Sequence, residues 1–190
     1  MRWSAACAPR STCGAHSPTS KDNPGLRYLA LGDSYTIGTG ASQDAHNYPS
    51  ILAARLSDST GAKVDLTNPA VNGFTTQDLI ESELGLVSRL SPELVTILIG
   101  VNDLVRGRSK ESYRKSLAAI YDEVATLQLA SGRTVAISSP NCSIVPAAAG
   151  FGDPSRLRRL TDDFNGLART EATKRGFLWV DITAVSTSRH

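Results

Sequence analysis

The chain has 190 residues, of which 41% are hydrophobic, and this is enough to fill the core of one compact domain. Its 20 basic and 18 acidic residues leave a net charge of +2, and the basic residues are spread along the chain, which argues against a nucleic-acid partner. No apolar stretch reaches the roughly 18 residues that a membrane span needs. We therefore expect a soluble protein with no membrane span.

The first part of the chain, residues 1–26, has no apolar period and is rich in Ser, Pro and Arg. We expect a disordered or loosely attached tail there, followed by one domain over residues 27–190. The apolar stretch that begins at Trp3 stops at Pro9, which is too short for the apolar region of a secretory signal. The sequence therefore predicts a cytoplasmic protein.

The chain contains three cysteines, Cys7 and Cys13 in the predicted tail and Cys142 in the predicted domain. They lack the paired spacing of a zinc site and cannot form a disulfide framework. We interpret them as unpaired thiols and expect neither a metal ion nor a cofactor.

Beyond the tail, apolar or β-branched runs of strand length alternate with helical patterns. The runs lack the in-out alternation of a half-solvated sheet, which predicts strands buried on both faces. The five predicted strands are Tyr28–Leu31, Val64–Thr67, Leu94–Ile99, Thr134–Ser138 and Phe177–Ile182.

Four helices are predicted between these strands, because apolar residues recur there at spacings of three and four. The Asp153-Pro154 pair is a start signal for the last of them. The four apolar sets are Ile51, Leu52 and Leu56; Leu79, Ile80, Leu84 and Val87; Leu117, Ile120, Val124 and Leu127; and Leu157, Leu160, Phe164 and Leu167.

Five strands that alternate with four helices predict a three-layer α/β fold, a flavodoxin-like doubly wound parallel sheet with helices on both faces. In such sheets, ligands bind beyond the carboxyl ends of the strands, where the strand order reverses. The loops that follow the strands are therefore the place to look for a functional site.

Three of these loops carry polar or glycine-containing motifs. Gly-Asp-Ser34-Tyr follows the first strand, and Gly-Val-Asn102-Asp follows the third. Between them, Asn-Gly73 follows the second strand and lies just ahead of a helix start, where backbone N–H groups are unpaired. A serine hydroxyl, a free backbone N–H and a side-chain amide could thus converge on one carbonyl group.

The three motifs, in this order, resemble those of the SGNH hydrolase family, also called GDSL-type esterases and lipases. The resemblance covers Leu26 to Asp181. It implies a small-molecule ester or acyl substrate, with Ser34 as the catalytic nucleophile. It also implies an oxyanion hole formed by the Ser34 N–H, the Gly73 N–H and the Asn102 side chain, which is what a tetrahedral acyl intermediate requires.

Two aspartates flank the predicted site residues, Asp33 before Ser34 and Asp103 after Asn102. Either could be taken for a catalytic carboxylate. We interpret both as structural residues that fix their own loops through Asx-type hydrogen bonds to the backbone.

The family's Asp-x-x-His motif, which supplies the general base and its orienting carboxylate, does not occur in this sequence. His16 lies in the tail, His46 in a loop, and His190 at the last position with Thr187 where an aspartate would be needed. We interpret the chain as a truncated esterase with impaired activity. The family's final helix would also be missing, so we expect uncovered apolar surface near the first and fifth strands.

A non-catalytic flavodoxin-like module is the alternative. It would hold a phosphate or a flavin in the loop over residues 32–40, which is rich in glycine and hydroxyl groups. This loop matches neither of the common phosphate-binding glycine patterns, and the alternative leaves Gly73 and Asn102 without a role.

Overall fold

The computed structural model describes residues 25–144, 150 and 153–184. A five-stranded parallel sheet with the strand order β2-β1-β3-β4-β5 forms its centre. This is the predicted flavodoxin-like doubly wound order, and the fold class is confirmed. The strands are β1 (Leu26–Gly32), β2 (Val64–Thr67), β3 (Leu94–Leu98), β4 (Thr134–Ile137) and β5 (Leu178–Val180).

The predicted tail ends one residue too late, because Leu26 is already the first residue of β1 and its N–H donates to the Lys63 carbonyl at 2.8 Å. The rest of the tail, residues 1–24, lies outside the described residues. Its cysteines and His16 lie there too. Cys142 is buried with a free thiol, as predicted for this residue.

The described residues include seven α-helices and two short 3-10 helices. No helix in these ranges is long and apolar enough to cross a membrane. The α-helices are α1 (Ser34–Ile37), α2 (Tyr48–Thr60), α3 (Thr76–Ser82), α4 (Gly85–Leu90), α5 (Val101–Val105), α6 (Lys110–Ala125) and α7 (Pro154–Lys174), and the 3-10 helices are Asp44–His46 and Cys142–Ile144.

The single helix predicted from Leu79 to Val87 is wrong, because the chain forms α3 and α4 instead. Helix α3 begins at a capping box in which Thr75 and Asp78 bond to each other's backbone N–H groups. It ends at Ser82 with Glu83 as its C-cap, and both the Glu83 and Leu84 N–H groups donate to the Leu79 carbonyl. Spacings of three and four persist across this short break, so the apolar pattern does not reveal it.

The two faces of the sheet are covered by different helices. Leu29 and Leu31 of β1 pack into the large core formed with α3, α4, α6 and α7, whereas Tyr28 and Ala30 face α2. Right-handed crossovers explain this division. The β1-to-β2 crossover runs in the opposite direction to the three that follow, so its helix lies on the opposite face.

Helix α2 covers only part of its face. Leu178 and Val180 on β5 share this face with their register partners Val135 and Ile137, and they are 49% and 37% exposed. The expectation of strands buried on both faces is therefore wrong for β5, and β2 is also only partly buried. The expected shortage of cover is found at β5, but β1 is covered by α2.

An apolar groove continues this uncovered area toward the amino ends of the strands. It has a volume of about 520 Å³ and lies between α2 and the sheet. Leu52 and Leu56 line it from the helix, and Leu94 and Val135 line it from the sheet. This groove lies at the edge of the sheet opposite the Ser34 and Asn102 loops.

We expect the exposed side chains of β5 to promote self-association, since contiguous exposed apolar surface favours contact between copies. The double variant Leu178→Thr/Val180→Thr has a β-branched, strand-favouring residue at both positions. It should reduce self-association as measured by sedimentation velocity. Its unfolding free energy should change by less than about 1 kcal/mol, as is usual for surface substitutions. Val95→Thr in the buried strand β3 is the control for burial, and it should lower the unfolding free energy by about 1–3 kcal/mol. Unchanged association in the double variant would contradict the prediction.

Candidate active site

Ser34 is the first residue of α1, and only Asp33 separates it from the end of β1. Asp33 caps the helix, because its Oδ1 accepts the Tyr35 N–H at 3.0 Å. Ser34 is half-buried, and within the described part of the chain neither its hydroxyl nor its N–H has a hydrogen-bond partner. Both groups are therefore available to a bound substrate.

Asn102 in α5 connects the segments that follow β2 and β3 to the segment that carries Ser34. Its side-chain Nδ2 donates to the Phe74 carbonyl at 2.8 Å and to Asp33 Oδ2 at 3.3 Å. Phe74 is the neighbour of Gly73, and Asp33 is the neighbour of Ser34. The three predicted site residues are thus brought together at the carboxyl edge of the sheet, where the strand order reverses between β1 and β3.

Gly73 lies in the loop between β2 and α3 with φ of +84°, a conformation that glycine adopts without steric cost. Arg106 Nη2 donates to the Gly73 carbonyl at 2.8 Å. The Gly73 N–H has no partner among the residues that the structure describes. Asn68 Nδ2 donates to the Thr36 carbonyl at 3.0 Å and so ties this loop to α1.

Asp103 is fully buried and joins α5 to the start of α3. Its carboxylate accepts the Thr76 N–H at 2.8 Å and the Thr76 hydroxyl at 2.7 Å. Arg108 adds an ion pair at 3.1 Å. The hydrogen bond from the Tyr35 N–H to Asp33 agrees with the interpretation of Asp33 as an anchor of its own loop. Asp103 instead fixes a neighbouring segment, the start of α3.

His46 is the one histidine in the described ranges, at the end of the 3-10 helix Asp44–His46. Its Nδ1 shares a hydrogen bond with Ser42 Oγ at 2.8 Å, and it makes no hydrogen bond to Ser34. His16 and His190 lie outside the described residues. Across the same ranges, no group of three or more His, Cys, Asp or Glu side chains could hold a metal ion.

A further buried carboxyl group, that of Glu83, interacts electrostatically with Asp33 and was not among the residues predicted from the sequence. The available signal was its position within the apolar face that includes Leu79 and Val87. Burial raises the pKa of Asp33 to about 7; the Tyr35 N–H opposes this shift and Asp103 adds to it. Burial also raises the pKa of Glu83 to about 8, with the Gly32 N–H opposing the shift.

We expect the unfolding free energy to fall as the pH rises from about 4.5 to about 8. A raised pKa means that the folded protein retains protons that the unfolded chain releases. The contribution of these protons to the unfolding free energy is fully present at a pH below the ordinary pKa values, and it is lost as the pH rises through the raised pKa values. Urea denaturation at a series of pH values measures the slope. Glu83→Gln should flatten the curve, whereas Glu81→Gln on the exposed side of the same segment should not. A flat wild-type curve over this range would contradict the prediction.

The GDSL-like lipase/acylhydrolase family model matches residues 30–190 of the chain. Lipase 2 of Streptomyces coelicolor is 26% identical over 90% of this chain and 75% of its own length. The lipase of Streptomyces rimosus is 25% identical, with 82% and 69% covered.

Solved structures show the same fold. LAE5, described as an alpha/beta hydrolase enzyme from the metagenome of Lake Arreo in Spain, has a TM-score of 0.68 and 24% identity over 87% of this chain and 83% of its own. AlinE4, described as an SGNH-hydrolase family esterase, has a TM-score of 0.63 and 23% identity over 83% and 76%. With the family model matched over nearly the whole described domain, the chain belongs to the GDSL-like lipase/acylhydrolase family.

Proposed function

We propose that the chain is a serine ester hydrolase that forms an acyl-enzyme on Ser34. Its membership of the GDSL-like lipase/acylhydrolase family supports an ester hydrolase acting on small-molecule esters. The observation that carries the assignment of residues is the Asn102 amide, which bonds at the same time to Phe74 beside Gly73 and to Asp33 beside Ser34. One side chain, itself a proposed oxyanion donor, thus joins the segment of the nucleophile to the loop of the Gly73 donor.

The reaction begins when Ser34 Oγ attacks the acyl carbon and gives its proton to solvent water, from which the leaving alcohol later takes one. The carbonyl oxygen becomes an oxyanion, which accepts hydrogen bonds from the Ser34 N–H, the Gly73 N–H and the Asn102 amide. The bond to the leaving oxygen then breaks, and the alcohol departs with a proton. Water attacks the acyl-enzyme in the same way, releases the acid and restores the Ser34 hydroxyl.

Asn102 can serve as a donor because its two existing hydrogen bonds differ in length. The bond to Phe74 is 2.8 Å and holds the amide in place, whereas the contact with Asp33 is 3.3 Å. The longer contact is the weaker of the two, so the N–H that makes it can be shared with an oxyanion, while the Tyr35 N–H continues to bond Asp33. A preorganised donor of this kind typically contributes about 2.7–4 kcal/mol to lowering the barrier.

The described residues supply a nucleophile and oxyanion donors, but none of them is a histidine hydrogen-bonded to Ser34. A serine hydroxyl without an adjacent base is a weak nucleophile. Oxyanion stabilisation and substrate binding alone typically retain about 10³–10⁴ of acceleration over water. We therefore expect these residues to support slow hydrolysis of activated esters.

The alternative of a phosphate- or flavin-binding module is not favoured. The loop over residues 32–40 contains no Lys or Arg, and its one ionisable carboxyl group, Asp33, is buried at the start of α1. When it is ionised, a carboxyl group in this position would repel a phosphate rather than bind it. The family match also assigns the chain to ester hydrolases.

Ser34→Ala should abolish the hydrolysis of 4-nitrophenyl acetate, because the acyl-enzyme can no longer form. Release of nitrophenolate measures the rate, and mass spectrometry after treatment with a fluorophosphonate measures labelling, which should also be lost. Ser88→Ala, an exposed serine on α4, is the matched control and should keep both signals. Wild-type rates in Ser34→Ala would contradict the assignment of the nucleophile.

Asn102→Ala should lower kcat by about 10²–10³ through the loss of an oxyanion donor. Asn68→Ala is a matched control, because its amide also bonds a carbonyl across two loops but lies outside the proposed oxyanion hole. Its kcat should fall far less. Equal losses in the two variants would show that Asn102 acts only by holding its loop, and unfolding free energies measured in parallel exclude a simple loss of fold.

A further inference from the structure

The end of β1, two residues before the nucleophile, has a strand neighbour on one side only. Strand β2 pairs with β1 as far as the pair Leu29 and Thr67, whereas β3 continues to the pair Gly32 and Leu98. The last three residues of β1 therefore lie beyond the end of β2. A backbone N–H in such a position must find another acceptor if it is buried.

Glu83 provides that acceptor for Gly32. Its Oε2 lies 3.0 Å from the Gly32 N–H, and the contact is buried. A side chain from the end of α3 thus makes the hydrogen bond that a longer β2 could have made. The contact joins residues 51 positions apart in the chain.

The burial of Glu83 is costly for the fold and indicates that its carboxyl group has a specific role. The side chain is 1% exposed, and its helical neighbours Leu79 and Val87 are fully buried apolar residues. Its second oxygen, Oε1, has no hydrogen-bond partner among the described residues. A buried carboxyl group with an unpaired oxygen lowers stability, and an apolar side chain would suit this core better.

Gly32 is tightly enclosed by neighbouring residues. A Cβ atom at this position would overlap Thr36 Oγ1 on one side and the Leu98 carbonyl oxygen on the other. The same peptide leads directly into Asp33, which caps α1, and then into Ser34. A displacement of Gly32 would therefore be passed to the serine hydroxyl, and catalytic groups tolerate only about 0.5 Å of misplacement.

We propose that Glu83 is a positioning residue of the ester-hydrolase site, whose carboxyl group replaces the missing strand neighbour of Gly32 and so holds Ser34 in place. The inference rests on the proposed role of Ser34. Glu83 lies beside the end of β1 and is only 1% exposed, so it acts on the reaction through Gly32 and not by touching the substrate. Its loss should therefore lower kcat through misalignment of the nucleophile and leave KM nearly unchanged.

The test compares Glu83→Met, which has a similar length but no acceptor oxygen, with Glu83→Gln, whose side-chain oxygen can accept the same N–H. With 4-nitrophenyl acetate, Glu83→Met should lower kcat at least about tenfold, with KM within about twofold. Glu83→Gln should keep kcat within about threefold. Glu81→Met is the matched control, because Glu81 is exposed and bonds only Gln77, and it should behave as the wild type.

Hydrogen exchange at the Gly32 amide gives a second readout that does not depend on activity. The exchange should be faster in Glu83→Met than in the wild type and in Glu83→Gln, because only Glu83→Met loses the acceptor. If Glu83→Met does not fold, Glu83→Gln decides the question: a kcat within threefold supports the proposal and a tenfold loss overturns it.

Two results would separate this proposal from the proposed function. A folded Glu83→Met with wild-type kcat, beside an inactive Ser34→Ala, would overturn the role of Glu83 alone. Wild-type hydrolysis in Ser34→Ala would overturn the function and the role of Glu83 with it. A loss of kcat in Glu83→Met that only matches its unfolded fraction would also overturn the positioning role.

Discussion

The carboxyl groups of Asp33 and Asp103 are the constraint on which the functional edge of the sheet depends. Both are fully buried, so the fold is stable only if each finds hydrogen-bond donors. Asp33 receives one from Asn102 on α5, and Asp103 receives two from Thr76 at the start of α3. Because donors and acceptors lie on different segments, satisfying the carboxyl groups also aligns the exits of three strands. The position of Ser34 follows from the same contacts.

The two faces of the sheet are held by different kinds of interaction. The face with four helices is an apolar core, whereas the α2 face adds a chain of hydroxyl groups. Tyr28 and Tyr48 both bond to the Thr96 hydroxyl, at 2.9 and 3.1 Å, so that α2 is joined to β3 by polar contacts. Burial raises the pKa of Tyr48 to about 12, which keeps this hydroxyl neutral at physiological pH. Directional bonds thus orient α2 where apolar packing is thin.

The strands, their parallel order and the neighbourhood of Ser34 and Asn102 could be predicted because they follow from local pattern and from chain geometry. Buried parallel strands are continuous apolar runs, and the residues after them must share one edge. The shortage of cover at β5 was expected, but the cover of β1 by α2 could not be predicted, since it depends on which helix packs on which face of the sheet and not on the strand itself. Glu83 was also missed, because its role comes from a contact with Gly32 that lies far away in the sequence.

The bonds between Asp103 and Thr76 have a consequence for how this site can diverge among relatives. They couple the loop that carries Gly73 to the helix that carries Asn102, so the two cannot change independently. A loop exchanged from a homologue with a different residue in place of Thr76 would leave the Asp103 carboxylate short of donors. Recombination that separates this pair should therefore show strong epistasis, and new substrate preferences should arise more readily in segments outside it.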